Sequence, residues 1–286
     1  MSTVFDDRPC QLGEGPLWHP ERQQLFWFDI VGKRLMTRTS DEQQSWDFPE
    51  HVSAAGWIDR DTLLVASETG LWQFELPTGK KVSVTPLEAD NPVTRSNDGR
   101  ADPWGGFWIG TMGKQAEPGA GSIYRYWRGE LRRLVPDVTI SNAICFAPDR
   151  SCAYFCDTRT RLVMRWDLNA ETGWPDGDST VFLDLRDEGL NPDGAVIDAQ
   201  GNIWIAQWGV GRVAIYSPEG YFLRAVTFEA SHTSCPAFGG ADLTTLFCTT
   251  AREGLSANEI ETQPTNGMTF AHENAGLGRA EHRVIL

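Results

Sequence analysis

The chain has 286 residues, of which 41% are hydrophobic, and it carries a formal net charge of −14 at pH 7. This acidic balance argues against a nucleic-acid partner and against an anionic membrane surface, because both need a basic footprint. No stretch approaches the roughly 18 apolar residues of a membrane span, and 28 Gly and 16 Pro interrupting runs of aromatic and β-branched residues favour many short strands.

The N-terminal sequence MSTVFDDRPC has neither a positively charged segment nor an apolar core, so we expect no secretory signal. The six cysteines show no paired CxxC spacing. Four of them lie within apolar runs: Cys145, Cys152, Cys156 and Cys248. Such positions are typical of reduced cysteines packed in a core, and together these features favour a cytoplasmic protein.

One pattern occurs six times: a short apolar run, a polar turn rich in Asp, Pro or Gly, and a second apolar run. The copies are GEGPLWHPERQQLFWFD, SAAGWIDRDTLLVAS, SNDGRADPWGGFWIGT, SNAICFAPDRSCAYFCDT, PDGAVIDAQGNIWIAQ and CPAFGGADLTTLFCTT. The second runs centre on Phe26, Leu64, Trp108, Tyr154, Trp204 and Phe247. A repeat of roughly 40 to 50 residues is the length of a four-stranded propeller blade. We therefore predict an all-β fold, with residues 1–286 forming a single six-bladed β-propeller domain of four-stranded antiparallel blades.

The two ends of the chain also have the composition of strands. They carry the runs TVFDD at 3–7 and HRVIL at 282–286. We expect these terminal runs to meet and to close the ring by completing one blade, since closure removes an exposed sheet edge.

Upstream of each second run, at a similar distance, lie Glu14, Ser53, Asn97, Asn142, Asp193 and Pro236. The first strand of a propeller blade lines the central channel, so these positions should converge. Asn-Asp-Gly and Pro-Asp-Gly are also ordinary turn formers, but each copy already has its turn farther along. Four of the six side chains carry amide or carboxylate oxygens, which suit Ca²⁺, Mg²⁺, Mn²⁺ or, less selectively, Zn²⁺.

Four short motifs hold the most informative polar residues. GEGP at 13–16 contains Glu14, SNA at 141–143 contains Asn142, PDG at 192–194 contains Asp193, and RSND at 95–98 contains Arg95 and Asn97. In this order the motifs resemble those of the senescence marker protein/gluconolactonase family, also called the regucalcin or luciferin-regenerating-enzyme-like family, of six-bladed propeller lactonases. The resemblance covers essentially the whole chain.

This resemblance implies one divalent metal ion (Ca, Zn, Mg or Mn) bound by Glu14, Asn142 and Asp193, with Arg95 and Asn97 contacting the substrate. It implies hydrolysis of a sugar (aldono) lactone, a small-molecule partner, to the sugar acid, by a monomer or small homo-oligomer. Asp193 is the candidate catalytic base. Because a cation-bound carboxylate is a weaker base, a water outside the ligand set or a metal hydroxide is the alternative.

The chain departs from the family in one loop. Some members place an acidic residue shortly after the sequence G-T-M, where it reaches the substrate. Here Lys114 and Gln115 follow, and Glu117 is the nearest carboxylate.

Other functions stay open at this point. The same metal site could hydrolyse another ester, aryl or organophosphate, and a propeller can also be a calcium-binding protein or an interaction platform. Arg95 and Asn97, being polar, favour a polyol over an aromatic substrate. Trp57 and Trp208 are candidates to stack on a sugar at the channel mouth, although blade packing is the more common role of such residues. Asp98 is expected to brace the strand entry.

Overall fold

Each of the six sequence copies forms the first two strands of a four-stranded antiparallel sheet in the computed structural model, which describes residues 1–40 and 42–286. The first thirteen strands are β1 (Thr3–Asp6), β2 (Gly13–His19), β3 (Gln24–Asp29), β4 (Arg34–Arg38), β5 (Gln43–Asp47), β6 (Val52–Asp59), β7 (Thr62–Ser67), β8 (Gly70–Glu75), β9 (Lys81–Pro86), β10 (Thr94–Ala101), β11 (Phe107–Gly113), β12 (Gly121–Trp127) and β13 (Glu130–Val138). The remaining elements are β14 (Ser141–Phe146), β15 (Cys152–Asp157), β16 (Leu162–Asp167), β17 (Thr180–Asp184), β18 (Asn191–Ile197), β19 (Ile203–Trp208), β20 (Arg212–Tyr216), β21 (Phe222–Thr227), β22 (Thr233–Gly239), β23 (Thr245–Thr250), α1 (Ala257–Thr262) and β24 (Thr269–His272).

The sheets are the six blades of the predicted propeller. Blades 1 to 5 are β2–β5, β6–β9, β10–β13, β14–β17 and β18–β21, and blade 6 is β22, β23, β24 and β1. The single helix of the described residues, α1, begins with a capping box in which Ser256 and Glu259 exchange hydrogen bonds. Among the described residues we find no helix with the length and apolar character needed to cross a bilayer.

The ring is closed by the N-terminal strand, as predicted, but its partner differs from the expected one. β1 pairs with β24, with Val4 opposite Phe270, so one blade contains both ends of the folded ring. The prediction that HRVIL would be the partner was wrong. Residues 282–286 form no strand: Val284 is fully buried in a cluster with Ala54 and Phe107, between blades 2 and 3, whereas Ile285 and Leu286 are exposed.

The core lies between neighbouring blades. The six residues on which the second apolar runs centre are all buried, and all lie in the second strand of their blade. Trp108 packs edge-on against Phe146 of the next blade, with ring centroids 5.5 Å apart, and Trp204 packs against Phe238 at 5.0 Å. Burying a side chain of this kind contributes about 1.5–3 kcal/mol or more. The six cysteines are free and buried, which confirms the core packing predicted for Cys145, Cys152, Cys156 and Cys248.

Candidate functional site

A cavity of about 360 Å³ lies at the end of the channel where the first strands of the blades begin. Its lining includes every residue predicted from the sequence motifs: Glu14, Arg95, Asn97, Asn142 and Asp193. These residues come from β2, β10, β14 and β18, the first strands of blades 1, 3, 4 and 5. The propeller thus brings together side chains that are far apart in the sequence.

The first strands are irregular where these residues lie. The pairing register shifts between Glu14 and Leu17, between Ser96 and Gly99, between Asn142 and Cys145 and between Pro192 and Ala195. A bulge bends a strand locally and changes the direction of its side chains, and bulges are common beside active sites. Glu14, Asn97, Asn142 and Asp193 therefore lie at or within a register shift, whereas Arg95 pairs regularly with Met112.

Blade 6 corrects the position predicted there. The register of β22 shifts between Thr233 and Cys235, so Ser234 lies at the bulge. Pro236 pairs regularly with Cys248 beyond it. Pro236, the position predicted by counting back from Phe247, therefore lies beyond the bulge. The count assumed that all six hairpins have the same length.

Glycine next to Glu14 is required by the backbone. Gly15 has φ of +54°, and a Cβ at this position would lie 2.2 Å from the carbonyl oxygen of Ser53 in the neighbouring blade. A larger residue would have to separate β2 from β6. The close approach of these two strands fixes the position of Glu14 along the channel axis.

A directional chain of hydrogen bonds connects blades 3, 4 and 5 across the cavity. Arg95 Nη1 donates to Asn97 Oδ1 at 2.7 Å, and Asn97 Nδ2 donates to Asn142 Oδ1 at 3.1 Å. Asn142 Nδ2 donates to Thr158 Oγ1 at 2.9 Å, and Thr158 Oγ1 donates to the carbonyl oxygen of Pro192 at 2.7 Å. Because Thr158 gives its proton to Pro192, it can only accept from Asn142, which fixes the orientation of that amide.

The two carboxylates predicted to bind a cation are buried without a positive partner. Glu14 and Asp193 are each 5% exposed, and neither forms an ion pair with any residue that the structure describes. Burial raises the pKa of Glu14 to about 8, with the charge of Asp98 adding to the effect. Burial and the charge of Glu14 together raise the pKa of Asp193 well above its usual range.

This donor set fits a divalent cation. Two carboxylates balance its charge, and the Asn142 amide adds a neutral oxygen of the kind that hard cations prefer. Within residues 1–40 and 42–286 no group of three or more His, Cys, Asp or Glu is placed to hold a metal. Because the donor set contains only two acids and one amide, the cation would also depend on Asn142.

Asp98 has the bracing role that was predicted. Its Oδ2 accepts a hydrogen bond from the backbone N–H of Ile144 at 2.7 Å, which ties β10 to β14 next to Asn142. Asp98 therefore supports the neighbouring blade from below the cavity.

Sequence reasoning missed two polar residues that line the cavity, Thr158 and Glu253. Both follow the second strand of their blade, β15 or β23. In an antiparallel hairpin the end of the second strand lies beside the beginning of the first, so this position faces the same opening. Counting forward from Tyr154 and Phe247, as well as backward, would have pointed to them.

Of the two tryptophans predicted as candidates for the channel mouth, only one lines the cavity. Trp208 lies there and stacks on His232, with centroids 4.3 Å apart. The ring nitrogen Nδ1 of His232 is 3.0 Å from the carbonyl oxygen of Glu253, which links this stack to the rim. Trp57 lies at the other end of the channel, where its Nε1 donates to the carbonyl oxygen of Glu281 at 2.9 Å.

The loop after β11 places Lys114 and Gln115 on the cavity wall. Lys114 Nζ contacts the Glu68 carboxylate and donates to the carbonyl oxygen of Pro92 at 2.9 Å. Glu117 accepts from the backbone N–H of Gln115 at 3.0 Å, which ties its carboxylate to its own loop. This part of the cavity wall therefore presents the Gln115 amide and the Lys114 ammonium group, whose charge is paired with that of Glu68.

Comparison with known proteins agrees with this geometry. The family model described as SMP-30/Gluconolactonase/LRE-like region matches residues 12–252. The chain belongs to this family. The resemblance drawn from the sequence motifs is thereby confirmed.

Three relatives show how far the similarity extends. The crystal structure of a calcium-binding protein, regucalcin, from Agrobacterium tumefaciens str. C58 superimposes with a TM-score of 0.98 at 39% identity, covering 100% of this chain and 98% of that one. A 6-deoxy-6-sulfogluconolactonase from Pseudomonas putida is 34% identical over 92% of this chain and 91% of its own length. An L-arabinolactonase from Azospirillum brasilense is 34% identical over 99% of this chain and 95% of its own length.

Proposed function

We propose that this protein hydrolyses a sugar (aldono) lactone to the corresponding sugar acid, with the help of one bound divalent cation. The observation that carries the proposal is the convergence of Glu14, Asn142, Asp193, Arg95 and Asn97 on one cavity. The names of the two lactonases among its relatives support the reaction class.

Glu14, Asn142 and Asp193 are the residues that would hold the cation. A divalent cation supplies Lewis acidity, which polarises an ester carbonyl and lowers the pKa of bound water. Calcium is supported by the description of the regucalcin relative as a calcium-binding protein, while the oxygen donors also suit Mg²⁺, Mn²⁺ and Zn²⁺.

Arg95 and Asn97 orient the lactone. The Arg95 guanidinium is buried at the cavity wall with one nitrogen engaged by Asn97, so its remaining N–H groups are directed donors for hydroxyl or ring oxygens. They also oppose the negative charge that develops on the carbonyl oxygen. The indole of Trp208 offers an apolar face for the sugar ring.

Asp193 is the candidate to accept the proton of the attacking water. Its burial makes protonation of the carboxylate more favourable than in water, and this increases its strength as a base. Coordination to a cation opposes that effect, so a water held beside Asp193 is the alternative acceptor.

The proposal is tested with a pH-indicator screen of aldonolactones, run on chelator-treated protein before and after addition of each divalent cation. We expect turnover that depends on the cation, loss of both cation binding and turnover in Glu14→Gln, and wild-type behaviour in Glu130→Gln, a control at an exposed carboxylate. Cation binding without turnover of any lactone would indicate a binding protein instead.

We also propose that residues 1–286 act as one domain, because the last residues of the chain hydrogen-bond to Trp57 and Gly105 of blades 2 and 3. Six free, buried cysteines support a reducing, cytoplasmic setting.

A further inference from the structure

The C-terminal strap, residues 276–286, covers the end of the channel opposite the cavity. Its backbone hydrogen-bonds to four blades, pairing Leu277 with Ala199, Gly278 with Leu243, Val284 with Trp57 and Ile285 with Gly105. These partners lie near or beyond the ends of the first strands β18, β22, β6 and β10, whereas the cavity lies near the beginnings of first strands. The strap is therefore separated from the cavity by the length of the channel-lining strands.

One side chain of the strap enters the channel. The carboxylate of Glu281 forms an ion pair with Arg100 of β10, and the two side chains are only 8% and 10% exposed. The carbonyl oxygen of Glu281 accepts from Trp57, which fixes the backbone at that point. Removing one partner of such a buried pair leaves an uncompensated charge.

Arg100 uses its other nitrogens to hold two neighbouring blades. Its Nε donates to the carbonyl oxygen of Ile144 at 3.2 Å, and its Nη2 donates to the carbonyl oxygen of Ala195 at 3.0 Å. Ile144 lies two residues after Asn142 in β14, and Ala195 lies two residues after Asp193 in β18. One guanidinium thus ties together the strands that present the candidate cation ligands of blades 4 and 5.

We propose that Arg100 and Glu281 are a positioning pair for the cation site. Arg100 fixes the spacing between β14 and β18, and Glu281 keeps Arg100 in the channel. The C-terminal strap thereby acts on the affinity of the site without touching cation or substrate. The effect on cation affinity rests on the proposed function, whereas the effect on how firmly β14 and β18 are held does not.

The test compares Glu281→Gln with Arg283→Gln, a control on the same strap. The exposed guanidinium of Arg283 donates to the carbonyl oxygen of Ile58 and lies over the Trp57 ring, 5.7 Å from its centroid. In calorimetric titrations with Ca²⁺, we expect Glu281→Gln to bind about tenfold more weakly than wild type, the size typical of losing a group that supports a metal ligand. Arg283→Gln should bind as wild type does, and Glu281→Asp should recover part of the affinity.

Hydrogen–deuterium exchange of the cation-free proteins is the second readout. Glu281→Gln should exchange faster than wild type in peptides covering 141–146 and 191–197, and Arg283→Gln should not. A variant that is merely less stable, with wild-type Ca²⁺ affinity and unchanged exchange in these peptides, overturns the proposal.

Two further outcomes are also decisive. If wild type binds no divalent cation, the proposed function fails, and the exchange comparison alone decides the positioning role. If Glu281→Gln does not fold, Arg100→Lys replaces it, because it keeps the charge facing Glu281 but cannot reproduce the planar fork that reaches both carbonyl oxygens. Wild-type exchange in Arg100→Lys would then contradict the proposal.

Discussion

Replacing Thr158 with Val should weaken cation binding although Thr158 is not a candidate ligand. Valine has nearly the shape of threonine but lacks the hydroxyl that accepts from Asn142 at 2.9 Å and donates to the carbonyl oxygen of Pro192 at 2.7 Å. Without it, the Asn142 amide loses the contact that directs its nitrogen away from the cation. The amide is then held only by the bond that its Oδ1 accepts from Asn97 at 3.1 Å, so its oxygen is less firmly directed to the site.

The size of the effect follows from the Asn142 amide nitrogen, which loses its partner, whereas the carbonyl oxygen of Pro192 keeps a contact with Cys156 Sγ at 3.8 Å. An unsatisfied buried donor or acceptor costs about 1–3 kcal/mol. Thr158 is only partly buried, so water replaces some of the loss, and we take about 1.4–2.8 kcal/mol as the total. Each 1.4 kcal/mol is a factor of about ten in the dissociation constant, so we expect Ca²⁺ affinity to fall about ten- to hundredfold.

Calorimetric titration of chelator-treated Thr158→Val with Ca²⁺ measures this directly. Thr158→Ser is the matched control, because it keeps the hydroxyl and loses only the methyl group, and it should bind nearly as wild type does. A Thr158→Val protein with wild-type affinity would refute the idea that the hydrogen-bond chain orients Asn142.

Three further predictions concern the substrate and the backbone. Arg95→Ala should reduce kcat/KM for the best aldonolactone, by a factor that corresponds to a loss of about 1–3 kcal/mol of transition-state stabilisation, as expected for hydrogen bonds to a charged group. Calorimetry should show nearly unchanged cation affinity. Loss of the cation in this variant would place Arg95 among the structural supports of the site. Gly15→Ala should lower the thermal unfolding midpoint and weaken cation binding together, because its Cβ would lie 2.2 Å from the carbonyl oxygen of Ser53. An unchanged midpoint would show that β2 and β6 can separate freely. An aryl phosphotriester has no hydroxyls to pair with the N–H groups of Arg95 that Asn97 leaves free, so kcat/KM for the aldonolactone should exceed that for the phosphotriester by at least about a hundredfold. Equal values would indicate a broad esterase.

The repeat pattern predicts the blades well because each blade carries the same constraint. A large apolar residue such as Trp108 or Trp204 must be buried between blades, and a turn must follow the first strand. These requirements recur with every blade and are visible in one sequence. The terminal run HRVIL was predicted wrongly because its apolar composition favours burial, but does not show whether a sheet edge or the space between two blades buries Val284.

The site was predictable to the extent that it depends on the first strands. Glu14, Asn142 and Asp193 lie at similar distances from the residues that centre the second strands, and the structure places them in one cavity. Thr158 and Glu253 lie in turns after second strands, beyond the apolar runs, so only their distance from Tyr154 and Phe247 could have pointed to them. The role of Arg100 could not be predicted, because its partners are backbone carbonyl groups and a distant glutamate in the strap.

The central claim is that one divalent cation, held by Glu14, Asn142 and Asp193, is required for lactone hydrolysis. The most direct measurement titrates chelator-treated protein with the activating cation and follows aldonolactone turnover and heat of binding in parallel. We expect no turnover at the start, and full activity at one equivalent of bound cation. Full activity in the chelator-treated protein, with no cation bound, would contradict the claim.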